Sequence, residues 1–62
     1  MIPLAVLERA SRAARNWGDW VRVYADPDEP GGYGLESEGS GEDWYQGQEA
    51  VAVFGPDGVR QE

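Results

Sequence analysis

The stretch PLAVLERASRAARNWGDWVRVYA, Pro3 to Ala25, decides the fold, because its apolar period changes partway along. Up to Trp17 the spacing is helical. At 100° per residue, Val6, Leu7, Ala10, Ala13, Ala14 and Trp17 fall on one side, and Arg9, Arg12 and Arg15 fall on the other. Proline suits a first turn, where a missing N–H costs nothing, and Leu, Ala, Glu and Arg favour the interior. Asn16 and Gly18 suit an end, and Arg15 complements the negative pole of the helix dipole. The pattern predicts a helix over 3–16, roughly 20 Å long. From Trp20 the period becomes two. Val21, Val23 and Ala25 alternate with Trp20, Arg22 and Tyr24, so 20–25 reads as a strand with bulk on both faces.

Working outward, Asp26-Pro27-Asp28-Glu29-Pro30-Gly31-Gly32 breaks the strand. Residues 33–38 give a second strand, with Tyr33 and Leu35 inward and Glu36 and Glu38 outward. A loop over 39–43 follows. Residues 44–54 give a third strand whose phase shifts at Gly47-Gln48, the expected place for a bulge. Gly55-Pro56-Asp57-Gly58 has the composition of a three-residue hairpin loop with a glycine bulge, which returns 59–61 as a short edge. The expected fold is α+β in one domain over 1–62: an N-terminal helix packed on an antiparallel meander of three or four strands. Glu42-Asp43-Trp44-Tyr45-Gln46-Gly47 resembles the aromatic pair and following glycine of SH3-like barrels. That resemblance implies a small bent barrel with a leading helix as the alternative.

The chain has 62 residues, 12 acidic and 5 basic, for a net charge of −7. Every base is an arginine. There is no lysine, histidine or cysteine, which excludes imidazole bases, thiol nucleophiles, thiolate zinc sites, disulfides, Schiff-base lysines and P-loops. Surface scaling gives roughly 3,900 Å² folded against about 9,900 Å² extended. Apolar burial then contributes about 90 kcal/mol, and ordering the chain costs about the same. Unusually good packing of the three tryptophans, or a homodimer, is the expected remedy. The apolar start, Met1 to Leu7, is too short for a signal sequence, and no run spans a membrane. A cytoplasmic protein without a membrane partner is expected.

The charges are segregated. Residues 1–22 carry four arginines against Glu8 and Asp19, a balance of +2; residues 23–62 carry Arg60 against ten carboxylates, a balance of −9. Asp26, Asp28 and Gly31 match the first, third and sixth positions of an EF-hand loop. Pro30 and Ser37, at the fifth and twelfth, defeat it. Glu36 and Glu38 share a strand face at about 7 Å, but a meander this small offers no cleft to raise one pKa. Gly32-Tyr33-Gly34 and Gly39-Ser40-Gly41 do not make a dinucleotide fingerprint. No catalytic, metal or cofactor site is expected, and the chain reads as a non-enzyme.

Function therefore rests on charge and aromatics. The leading expectation is a protein-binding module, inhibitor or adaptor that meets a basic surface, including that of a nucleic-acid-binding protein whose DNA the carboxylates imitate. Asp26, Asp28, Glu36, Glu38, Glu42 and Asp43 are the candidate steering groups. Trp44 and Tyr45 are the candidate apolar anchors. One alternative is a homo-oligomeric structural or accessory protein. The other is a nucleic-acid-associated factor using Arg9, Arg12 and Arg15. The net charge opposes direct nucleic-acid binding.

Overall fold

The computed structural model describes residues 1–37 and 48–61. The chain forms helix α1 (Leu4–Trp17), then strands β1 (Val21–Ala25), β2 (Tyr33–Ser37) and β3 (Ala52–Phe54). One helix packs on a three-stranded antiparallel sheet, and the sheet does not close into a barrel. The strand order is β2-β1-β3. β1, rather than β2, is therefore central, as its bulk on both faces allows.

Pro3 is the N-cap, one residue before the helix, and its carbonyl accepts from the Val6 and Leu7 amides at 3.0 and 3.2 Å. At the other end Gly18 takes the left-handed conformation (φ 64°), and its N–H donates to the Ala14 carbonyl at 2.9 Å. This stops the helix and lets β1 start three residues later, so α1 and β1 lie close in both sequence and space. Ala10 and Ala14 are fully buried against the sheet, with Val6, Leu7 and Ala13 packed around them. Two alanines at the contact keep the helix near the strands, at the cost of a thin core. The largest fully buried side chains are only Val21 and Val23.

The register explains the rest of the core. Val21 opposes Ser37 and Phe54, and Val23 opposes Leu35 and Ala52. These residues share the helix-facing side, where Phe54 and Ala52 are buried and Leu35 and Tyr33 complete the rim. Trp17 departs from the helical-wheel expectation. It is 53% exposed, because it ends the helix beside the chain reversal at Gly18. Trp20, just before β1, is also exposed.

The third strand is shorter than its sequence pattern. Of 44–54, residues 44–47 lie outside the described residues, 48–50 are not strand, and regular pairing begins at Ala52. Within β3, Ala52 and Phe54 are buried and Val53 is half-buried, and the expected bulge at Gly47-Gln48 falls partly outside the described residues. The Val51 amide still donates to the Val23 carbonyl at 2.7 Å. The turn after β3 has the expected form: Gly58 N–H donates to Gly55 O at 2.8 Å, Gly55 N–H donates to Val59 O at 3.0 Å, and Gly58 has φ 83°. The returning edge makes a single bridge, Phe54 with Arg60, rather than a strand.

Candidate functional site

The β1–β2 connection orders itself. Asp26 N–H donates to Gly32 O at 2.9 Å, closing the hairpin, and Gly32 N–H donates to Glu29 O at 2.8 Å. Within it, an Asp26 carboxylate oxygen accepts from the Asp28 amide at 2.9 Å. Such an Asx turn replaces a backbone partner with a side chain, which is why aspartate recurs in tight loops. Asp26 is half-buried and used internally. Asp28 and Glu29 point outward and are exposed.

Glu36 belongs to a different environment. It sits on β2 opposite Arg22, on the sheet face away from the helix. Tyr24 Oη donates to Glu36 Oε1 at 3.0 Å, and Arg22 Nη1 lies 3.5 Å from the same oxygen. The Glu36 side chain is 23% exposed and that of Arg22 is 42% exposed, so this is a partly screened pair. Tyr24 is buried on this face at 7% exposure. Glu36 thus helps to hold the sheet together and offers little unpaired charge.

The structure brings Asp26 and Asp28 into one loop and places Glu36 three residues into β2, roughly 10 Å along the strand from Tyr33. Glu38, Glu42, Asp43, Trp44 and Tyr45 lie outside the described residues. Glu29 was not singled out by sequence as a steering group. The signal that could have found it is the turn composition of residues 26–32, whose tip has to project.

Arg9, Arg12 and Arg15 are exposed on α1. Arg15 is not a bare charge: its Nη1 donates to Ser11 Oγ at 3.0 Å, and Ser11 Oγ donates to the Gly58 carbonyl at 2.7 Å. This relay pins the 55–58 turn to the helix, a contact that nothing in the sequence pairs. Arg12, Arg15, Ser11, Glu8 and Leu7 line a concavity of about 370 Å³. Leu7 also belongs to a second concavity of about 480 Å³, with Met1, Ile2, Leu4 and Arg60. The two concavities meet at Leu7 and together make a groove along the helix flank, with Met1, Ile2, Leu4 and Arg60 towards its N-terminal end and Glu8, Arg12 and Arg15 beyond.

Among the described residues, no group of three His, Cys, Asp or Glu side chains could hold a metal ion. No described helix is long and apolar enough to cross a membrane. Comparison with family models, with curated proteins and with solved structures finds no match to this chain.

Proposed function

We propose that this chain is a small non-enzymatic protein-binding module, an inhibitor or adaptor whose acidic C-terminal part engages a basic protein surface. A nucleic-acid-binding protein is the fitting class of target, with the carboxylates standing in for a row of phosphates. The observation that carries this reading is the self-ordered acidic tip: Asp26 fixes the loop while Asp28 and Glu29 stay exposed. A loop that is already ordered loses little conformational freedom on binding, so its charges act at low entropic cost. The −9 balance over residues 23–62 supplies the wider field. Glu38, Glu42 and Asp43 extend it, and Trp44 and Tyr45 serve as anchors, since steering alone discriminates poorly between targets. A chain without cysteine is compatible with a cytoplasmic setting.

The test is paired capture from a cell lysate. Immobilised wild type and an Asp28→Lys/Glu29→Lys/Glu42→Lys/Asp43→Lys variant are compared under the same salt. Glu36 is left intact, because reversing it would break its bond to Tyr24. The reading expects a basic protein retained by wild type, lost with the variant, and displaced by duplex DNA. Equal retention by both proteins, with native circular dichroism in each, rejects the acidic surface.

A further inference from the structure

We infer that the groove along α1 is a docking surface for a second copy of this chain, and that the copies pair antiparallel so that each acidic loop meets the other's arginines. The groove runs from Leu4 to Arg15, a rise of roughly 17 Å. Among the described residues that line it, Arg12, Arg15 and Arg60 stand against one carboxylate, Glu8. In a chain of net charge −7 this flank is locally positive. Its N-terminal end presents apolar side chains beside Arg60: Leu4 is 68% exposed and Leu7 only half-buried.

The complement to this groove lies on the same chain. The loop carrying Asp28 and Glu29 leaves β1 at Ala25 and enters β2 at Tyr33, which are register partners. The Tyr33 hydroxyl lies 3.5 Å from the Met1 carbonyl, so the acidic loop sits at the N-terminal end of the groove. Arg12 and Arg15 sit towards the other end. Laying two copies side by side in opposite directions brings Leu4 and Leu7 of each together at the centre. Each Asp28–Glu29 tip is then carried towards the partner's Arg12 and Arg15. The arrangement is isologous, with one patch used twice, and it closes at two copies.

Long-range repulsion between two −7 molecules does not forbid this. The molecule measures 30 × 25 × 19 Å, so the charge centres of a pair lie well beyond the Debye length of about 8 Å at 0.15 M salt. Contacting charges are screened much less. The same tip would serve both the basic target and the second copy, so pairing and target binding exclude one another. The inference stands on the groove and does not require that target.

Sedimentation velocity at about 100 μM in 0.15 M salt tests it, because pairing depends on concentration. Wild type should sediment as a dimer. Leu4→Glu changes an exposed side chain in a helical first turn that tolerates a carboxylate, so it should fold natively and be a monomer. Arg12→Glu, and separately Asp28→Arg/Glu29→Arg, should each weaken pairing at least tenfold. Mixing these last two proteins should restore a heterodimer, because the reversed charges again face opposite signs. A natively folded wild type that stays monomeric to about 1 mM overturns the inference. So does a dimer indifferent to Leu4→Glu and Arg12→Glu, or a mixture of folded variants that fails to pair.

Discussion

Replacing Gly58 by alanine should be among the most damaging single-methyl changes available to this protein. The residue has φ 83°, a region that costs a side-chain-bearing residue about 1–2 kcal/mol. The new Cβ would also lie 2.8 Å from Arg15 Cγ, 2.9 Å from Arg15 Nη1 and 2.9 Å from Ser11 Oγ. Arg15 is flexible and can swing away, but doing so breaks its bond to Ser11. Displacing Ser11 breaks the bond to the Gly58 carbonyl, and each loss is worth about 1 kcal/mol. The expected total is about 2–4 kcal/mol, against a global stability on the order of 3–9 kcal/mol for a chain this size. Urea denaturation followed by tryptophan fluorescence should show the midpoint falling with the slope unchanged. In an Arg15→Ala/Ser11→Ala background the same glycine replacement should cost only the backbone share, about 1–2 kcal/mol. A Gly58→Ala protein within about 0.5 kcal/mol of wild type would refute the reasoning, because neither the strain nor the crowding would then be real.

Gly18→Ala makes the contrast: φ is 64° but nothing lies within 4 Å of the added Cβ, so thermal denaturation should show a loss of about 1 kcal/mol from backbone strain alone. Phe54→Ala removes a core ring that is 4% exposed and should cost about 3–5 kcal/mol, read as loss of the folded baseline in urea. Leu7→Ala, at a half-buried position, should cost about 1–2 kcal/mol in the same assay, below the fully buried range. Tyr24→Phe deletes the donor to Glu36 and should cost about 1 kcal/mol, whereas Arg22→Gln, at a partly exposed pair, should cost less.

The elements were legible where one physical rule governed each residue. The helical period fixed the side that Ala10 and Ala14 bury, and the alternation from Trp20 fixed which face Val21 and Val23 take. The Gly55–Gly58 turn was legible because its φ requirement selects glycine at a defined place. The order β2-β1-β3 was not, since strand neighbours depend on non-local pairing and on the connection over 38–51, for which local pattern carries no rule. Trp17 misled because a wheel places a residue on a face and says nothing of whether the sheet extends that far. On the acidic side, sequence supplied charges without their partners. The Tyr24 and Arg22 contacts that occupy Glu36, and the turn that occupies Asp26, come from strand register and loop closure.

On the proposed function, carboxylates beyond residue 23 steer this chain onto a basic protein. The most direct test of that steering is the association rate with the captured target, measured by stopped flow from about 20 to 300 mM salt. The expected on-rate falls steeply with salt for wild type and is at least tenfold lower at low salt for Asp28→Lys/Glu29→Lys/Glu42→Lys/Asp43→Lys, with the off-rate changing far less. An on-rate indifferent to both salt and charge reversal would contradict it.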